Sequence, residues 1–185
     1  MLVEEKAFML KDGRRAVLRS PREEDAARLL QYLTAASGET DFILRTPEEC
    51  EKLTLEGEKQ WIEHMNSSET DITLLCEIDD KIAGNCGIFR DPWQKTRHRA
   101  RVAIALLREF WRQGIGTKMF EEMIRIAESW DGVSQIELEF VEGNARAQGL
   151  YEKMGFRITG VRPDAIRLRD GTLLNEYMMV KKLER

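Results

Sequence analysis

The feature that most constrains the fold is a pair of glycines between two runs of different periodicity. Residues 101–107 are rich in strand formers and small apolar residues, and Gly114 and Gly116 follow them. From Ile115 onward, apolar residues recur at helical spacing, which predicts one long amphipathic helix ending near Gly132. The sequence therefore predicts a strand, a tight turn and a helix in direct succession.

The rest of the chain predicts an α/β (α+β) fold. Turn signals at Asp12-Gly13 predict a hairpin, and Ser20 to Glu23 reads as a capping box that opens a first helix to about residue 36. Thr46 has the same helix-start pattern and predicts the start of a second helix. The helical run 53–65 is expected to be interrupted near Gly57. Further strands are expected at residues 71–78, 82–89, 136–140, 156–161 and 173–180, and a short helix at residues 144–154.

These elements predict one domain over residues 1–185, with its core at about residues 14–183. The order of strands and helices is mixed, so we expect a mixed central sheet of about six to seven strands flanked by about four helices.

Charge and cysteine content exclude several classes of protein. The net charge is −4 and the pI is about 5.5, which argues against a nucleic-acid partner. No apolar run approaches the ~20 residues of a membrane span, and acids stand where a signal peptide would be basic. Three irregularly spaced cysteines fit reduced thiols. We expect a cytoplasmic protein with no membrane partner.

The glycine turn is suited to bind phosphate. Glycines let a ligand approach the backbone, and the first turn of a helix offers unpaired N–H groups and a positive dipole end. A dinucleotide fingerprint would need a third glycine where Met119 stands. A P-loop would need Gly-Lys-Ser/Thr where the chain has Gly116 followed by Thr117. A plain turn without a ligand is the alternative.

A second segment narrows the identity of the phosphate-bearing ligand. It follows the predicted helix and one further strand, and it reads Asn144-x-x-Ala147-x-x-Leu150-Tyr151-x-x-x-Gly155-Phe156. Together with Gly114-Ile115-Gly116, this segment resembles the GNAT superfamily of N-acetyltransferases, which use acetyl-coenzyme A. The chain departs from that family at Trp111, where Gln or Arg is usual, although Arg112 and Gln113 are adjacent.

The resemblance implies where acetyl-CoA, as cosubstrate, would be bound without a metal. The backbone of the strand before the turn would contact the pantetheine arm, Asn144 would bond it, Ala147 would leave room for it, and Lys153 could approach the cofactor. The strand candidates are Ile104, Ala105 and Leu106, and the pyrophosphate candidates are Arg112, Gln113, Gly114, Ile115, Gly116 and Thr117.

The reaction that the resemblance implies needs groups that move protons. Tyr151 is the candidate general acid, because a phenol with a pKa near ~10 is protonated at neutral pH and can protonate a thiolate whose thiol has a pKa of ~8.5. The alternative is that Tyr151 only packs. Glu139 is the candidate base, with His98 and water as alternatives. Cys76 and Cys86 are expected to be core thiols rather than nucleophiles.

The acceptor is expected to be a primary amine of a small molecule or a protein N-terminus, which attacks directly in a ternary complex. The family shapes its acceptor site between the first two helices, where residues 37–45 include Glu39, Thr40 and Phe42. Acids there would suit a cationic amine. A non-catalytic acyl-CoA sensor on the same fold is the alternative. A homodimer is possible, and residues 97–101 are one candidate interface.

Overall fold

A computed structural model of the chain describes residues 1–184, which contain eight strands and five α-helices. The strands are β1 (Lys6–Met9), β2 (Arg15–Arg19), β3 (Asp71–Ile78), β4 (Lys81–Arg90), β5 (Arg99–Leu106), β6 (Gln135–Val141), β7 (Arg157–Arg167) and β8 (Leu173–Lys182). The helices are α1 (Ala26–Gly38), α2 (Pro47–Cys50), α3 (Leu55–Ser67), α4 (Ile115–Ser129) and α5 (Ala145–Lys153). Short 3-10 turns lie at Glu23–Asp25 and Arg108–Phe110.

The α/β class is confirmed, with slightly more elements than expected. The structure has eight strands rather than six to seven, and β2 of the N-terminal hairpin pairs with β3. The helix count exceeds four because the capping box at Thr46 opens a separate four-residue helix, α2, before α3 begins. No helix within residues 1–184 is both long enough and apolar enough to cross a bilayer.

The chain divides into two compact units. The first comprises residues 1–89 and 103–119, and the second comprises residues 90–102 and those from 120 onward. That residues 1–185 form one domain stays a prediction.

The first unit is built on antiparallel strands in the order β1-β2-β3-β4. The predicted hairpin at Asp12-Gly13 is confirmed, and Gly13 takes a left-handed φ of 87° in its turn. Helix α1 packs against α2 and α3, and α3 packs on β3. The buried side chains of this unit include Leu29, Tyr32, Ile62, Ile72, Leu74, Leu75, Cys76 and Ile88.

Two local predictions in the first unit are wrong. Ser20 does not cap a helix, because its hydroxyl accepts a bond from the Val3 N–H at 2.9 Å, and the Asp25 carboxylate instead closes the turn by accepting from the Arg22 N–H at 2.8 Å. Gly57 does not interrupt α3. It lies in the first turn, where its N–H donates to the Thr54 hydroxyl at 3.1 Å.

A buried ionic network joins β2, β3 and the start of α1. Arg19 is 4% exposed and forms two parallel hydrogen bonds to Asp25, which is 0% exposed, at 2.6 and 2.8 Å. Glu77 accepts from both Arg19 and Arg28, and Arg28 also pairs with Asp25. Burial alone would raise the pKa of Asp25, but hydrogen bonds from Arg19, the Arg22 N–H and Arg28 outweigh it and lower the pKa to about 2.

The second unit contains a mixed sheet in the order β5-β6-β8-β7. Three residues of β5, Arg99–Arg101, pair in parallel with Gln135–Glu137 of β6, and the two remaining pairings are antiparallel. Strands β7 and β8 extend beyond the predicted residues 156–161 and 173–180. The alternation expected in β6 is present, because Ile136, Leu138 and Phe140 are buried and Glu139 is exposed.

The candidate dimer interface at residues 97–101 is only partly in a strand, because β5 begins at Arg99. Arg97 lies in a turn, where its carbonyl accepts from the Arg90 Nε at 3.1 Å. Arg99 opens β5 and forms ion pairs with Asp91 at 2.6 Å and with Glu137 at 3.7 Å. This segment is therefore held by internal pairs, and a homodimer interface there stays a prediction.

Candidate active site

The predicted site residues fall into two groups, one in each unit. The first unit holds Ile104, Ala105, Leu106, Arg112, Gln113, Gly114, Ile115, Gly116, Thr117, Glu39, Thr40 and Phe42. The second unit holds Glu139, Asn144, Ala147, Tyr151 and Lys153.

The glycine turn has two left-handed residues immediately before α4. Gly114 has φ of 91° and Arg112 has φ of 64°, and α4 begins at Ile115. Glycine adopts this region freely, whereas a residue with a side chain stores about 1–3 kcal/mol of strain there. Such strain concentrates at functional sites, and here it falls on Arg112, whose side chain is exposed.

The backbone of this turn is open beside Gly114. A Cβ built at Gly114 meets no atom within 4 Å, so the backbone can be approached closely. The N–H groups of the first turn of α4 lie directly after it, at the positive end of the helix dipole. Gln113 contributes differently, because its Oε1 is buried and has no hydrogen-bond partner within residues 1–184. An amide oxygen is an acceptor, so this atom suits an N–H donor rather than a phosphate.

Trp111 fixes the end of β5. Its Nε1 donates to the Leu106 carbonyl at 2.9 Å, and the Arg108 guanidinium lies 5.5 Å from the centre of its ring. The residue that departs from the family's motif therefore holds the strand that leads into the turn. Sequence reasoning missed this role, because it considered only whether a polar group remained available for the ligand.

The predicted acceptor loop is attached to the same segment. Glu39 caps the C-terminus of α1, and its carboxylate accepts from the Arg108 N–H at 2.7 Å. Thr40 accepts from the Phe42 N–H at 3.2 Å, and Phe42 is 37% exposed. One predicted substrate residue, Glu39, is thus brought directly beside the end of β5.

Tyr32 is a site-adjacent residue that the sequence did not single out. It is 4% exposed, and its hydroxyl oxygen lies 2.9 Å from both Asn85 Oδ1 and Ala105 O. Burial raises the pKa of the phenol, so it stays protonated. In the sequence, Tyr32 was one more residue of an amphipathic helix, and nothing in that pattern signals a bond to a strand 73 residues away.

In the second unit, α5 and the turn before it present the second motif. Asn144 is the N-cap of α5, and its Oδ1 accepts from the Ala147 N–H at 3.3 Å. The preceding turn is clamped to β8, because the Glu142 N–H donates to the Asn175 carbonyl at 2.9 Å and the Glu142 carboxylate accepts from the Asn175 N–H at 3.0 Å. This clamp also had no sequence signal.

Tyr151 lies in a cluster of aromatic rings. Its ring centre is 5.4 Å from that of Phe120, 6.0 Å from Phe140 and 6.4 Å from Phe156, and the residue is 7% exposed. Burial raises its pKa to about 12. The ring therefore does pack, as the alternative interpretation expected, and the phenol also remains a protonated donor at neutral pH.

The candidate bases are both exposed. Glu139 projects from the exposed face of β6, whereas its neighbour Glu137 is engaged with Arg99 and Gln135. His98 lies exposed in the turn before β5, and its carbonyl accepts from the Ser134 N–H at 2.8 Å. Lys153 is exposed at the last position of α5.

The cysteines are core residues, as predicted. Cys50, Cys76 and Cys86 are all buried and unbonded to one another, and burial raises the pKa of Cys76 to about 12, which is unfavourable for a nucleophile. Within the described part of the chain, no three His, Cys, Asp or Glu side chains are grouped so that they could hold a metal ion.

Comparisons with known proteins agree on one family. The model of the acetyltransferase (GNAT) family matches residues 37–156. The L-amino acid N-acetyltransferase AaaT of Escherichia coli is 27% identical over 125 residues, which are 68% of this chain and 76% of that protein. A GNAT-family acetyltransferase structure from Streptococcus pneumoniae superposes with a TM-score of 0.84 at 30% identity, covering 91% of this chain and 99% of the other.

A more distant structure shows the same fold. It is yncA from Salmonella typhimurium, solved with its cofactor acetyl-CoA, which has a TM-score of 0.77 at 17% identity and covers 92% of this chain and 95% of its own. The family model spans well over half of the chain and includes both motifs, so this protein belongs to the GNAT family of acetyltransferases.

Proposed function

We propose that this acetyltransferase transfers the acetyl group of acetyl-CoA directly to a primary amine within a ternary complex. The observation that carries the proposal is the turn before α4, where Arg112 and Gly114 both adopt left-handed φ and the backbone beside Gly114 is open. The solved acetyl-CoA complex of the distant relative yncA supports the same cofactor.

The residues of the turn would hold the diphosphate of the cofactor. The N–H groups from Gly114 to Thr117 would donate to phosphate oxygens, and the exposed Arg112 would add a fixed positive charge. The end of β5, at residues 104–106, would contact the pantetheine arm through its backbone, and Asn144 is a further candidate for a bond to that arm. When bound, acetyl-CoA supplies an activated acyl group as a thioester.

Two protons have to move in this reaction. Glu139, directly or through water, would take the proton from the amine, for which its exposed position on β6 is suitable. Tyr151 would donate a proton to the departing sulfur, since its pKa of about 12 keeps it protonated. Because a buried phenol is a weaker acid than a free one, donation by Tyr151 has to be concerted with departure of the sulfur.

The acceptor would be a cationic amine of a small molecule or a peptide. AaaT acetylates L-amino acids by its name, which supports an acceptor with an α-amine. Glu39 and the exposed Phe42 would place a carboxylate and an aromatic ring in the acceptor loop. One Glu39 oxygen accepts from the Arg108 N–H, and the carboxylate has further acceptor capacity for an ammonium group.

Calorimetric titration with acetyl-CoA, with NAD and ATP as controls, tests the cofactor. We expect selective micromolar binding of acetyl-CoA, followed by CoA release, detected as free thiol, in a screen of amino acids, peptides and polyamines. Tight binding without thiol release across the whole panel would instead describe an acyl-CoA sensor. Binding of NAD or ATP in preference to acetyl-CoA would contradict the proposal.

A further inference from the structure

The last residues of β5 have their peptide groups held by side chains from two other elements. Trp111 Nε1 donates to the Leu106 carbonyl at 2.9 Å, and the Leu107 N–H of that same peptide group donates to the Ala83 carbonyl of β4 at 3.0 Å. The Leu106–Leu107 peptide group is therefore fixed at both ends. The preceding peptide group, formed by the Ala105 carbonyl and the Leu106 N–H, has its oxygen within 2.9 Å of the Tyr32 hydroxyl.

The Tyr32 hydroxyl can donate to only one acceptor. It lies 2.9 Å from both Asn85 Oδ1 and Ala105 O, but a phenol carries a single proton. A half-turn of the Asn85 amide presents its NH2 group to the hydroxyl, and this satisfies both contacts. With the amide assigned in this orientation, Asn85 donates to Tyr32 and Tyr32 donates to the Ala105 carbonyl.

The direction of this bond determines the direction of the Leu106 N–H. A peptide group is planar and trans, so its C=O and N–H point in opposite directions. The Ala105 oxygen and the Leu107 N–H face β4, where Asn85 and Ala83 lie. The Leu106 N–H therefore points to the edge of β5 away from β4. Because the peptide group is rigid, the Tyr32 hydroxyl that bonds the Ala105 oxygen also orients this N–H.

The packing around this peptide group leaves little freedom for it to rotate. Gly84 of β4 lies against it, because a Cβ built there would be 2.6 Å from the Ala105 oxygen and 2.2 Å from Leu106 Cδ2. Tyr32 is buried, with 4% of its surface exposed. A donor bonded to a carbonyl also polarises the peptide group, which makes its N–H a stronger donor.

Building on the proposed function, we propose that Tyr32 is a positioning residue that aims and strengthens the Leu106 N–H as the donor to the acyl carbonyl oxygen during acetyl transfer. The Tyr32 hydroxyl does not touch the acyl group. It acts through the Ala105–Leu106 peptide group, with Asn85 holding the hydroxyl in place and Trp111 holding the next peptide group.

The test compares Tyr32→Phe with the matched variant Tyr177→Phe, which removes a hydroxyl from a residue stacked on Phe140 in the second unit. Three quantities are measured: acetyl-CoA affinity by calorimetry, kcat with an accepted amine, and the infrared carbonyl band of bound acetyl-CoA labelled with carbon-13 at the acyl carbonyl. We expect Tyr32→Phe to keep acetyl-CoA affinity within about threefold and to lower kcat about tenfold, less than the ~10²–10³ for loss of a donor itself.

The infrared band separates positioning from a merely structural role. In the wild type, it should lie below its solution frequency, and Tyr32→Phe should return it towards that frequency, whereas Tyr177→Phe should leave it unchanged. A band in Tyr32→Phe equal to that of the wild type would overturn the proposal, whatever happens to kcat. Absence of acetyl-CoA binding in the wild type would instead be a failure of the proposed function.

A second replacement covers the case in which Tyr32→Phe does not fold. Replacement of Tyr32 by 3-fluorotyrosine keeps the shape of the ring and makes the hydroxyl a stronger donor. We expect the carbonyl band of bound acetyl-CoA to move further from its solution frequency. A band that does not move, or that moves towards the solution frequency, would also overturn the proposal.

Discussion

The two units hold their candidate site residues by different means. In the first unit, the candidate groups are backbone atoms and loop residues, fixed by hydrogen bonds such as Trp111 to Leu106 and Arg108 to Glu39. The same unit contains a buried ionic network. In the second unit, Tyr151 is fixed by ring packing against Phe120, Phe140 and Phe156. The hydrogen-bonded groups of the first unit depend on charge and pH. The ring packing around Tyr151 depends on the shape of the side chains.

The largest expected effect is on the ionic network of the first unit. Asp25→Asn keeps the shape of the side chain but removes the negative charge that pairs with the buried Arg19. We expect a loss of about 3–5 kcal/mol in the free energy of unfolding. Urea unfolding measures it. Glu23→Gln is the control, because Glu23 pairs with Lys59 at the surface and should contribute less than about 1 kcal/mol. Equal losses in the two variants would contradict the difference between buried and exposed pairs.

The next effect is on catalysis in the second unit. Tyr151→Phe preserves the aromatic cluster but removes the proton, so we expect kcat to fall about 10²-fold with little change in acetyl-CoA affinity or stability. Because burial raises the pKa of Tyr151 to about 12, its ionisation should cause no loss of activity until the pH approaches that value. Steady-state kinetics across pH tests both statements. An unchanged kcat would show that Tyr151 is not the general acid and contributes only packing.

Acid should weaken the first unit through Asp25. The folded-state pKa of about 2 lies below the usual value of 3.8, so the associated stability is complete above about pH 4 and is lost as the pH falls through about 2. The expected loss in the free energy of unfolding is about 2 kcal/mol. Urea unfolding of the wild type and of Asp25→Asn between these pH values measures it. A variant that loses stability as steeply as the wild type would assign the acid sensitivity to other groups.

The smallest effect separates backbone strain from ligand binding at the turn. Gly114→Ala and Gly171→Ala both place a side chain at a φ near 90° with nothing within 4 Å, so each should cost about 1–2 kcal/mol of stability. Only Gly114→Ala should also weaken acetyl-CoA binding, by about tenfold. Thermal unfolding and calorimetry give the two quantities. Equal acetyl-CoA affinity in both variants would show that the turn does not hold the cofactor.

The sequence predicted the elements around the two motifs because their signals are local. Helix α4 starts at Ile115 as expected, and Thr46 caps α2 with its box partner Glu49. Periodicity, capping residues and glycine turns each act within a few residues. The same locality explains the error at Ser20, where a suitable capping pattern was present but a bond from Val3 took the hydroxyl.

The contacts missed from the sequence join residues that lie far apart along the chain. Tyr32 reaches Ala105, Arg19 reaches Glu77, and Glu142 is clamped to Asn175. Each bond depends on the register of strands and the rotation of a helix about its axis, and hydrophobic patterning fixes these only to the level of a face. The candidate residues could be predicted from the motifs, but the side chains that hold them could not.

The indole of Trp111 is also a fluorescent probe of the turn before α4. Its N–H is bonded to the strand end at Leu106 and its ring lies under the Arg108 guanidinium, so a ligand at the adjacent turn changes the field around the chromophore. The chain has three other tryptophans, Trp61, Trp93 and Trp130. With these three replaced by phenylalanine, the emission of Trp111 alone would report occupancy of the turn in real time, without a labelled ligand.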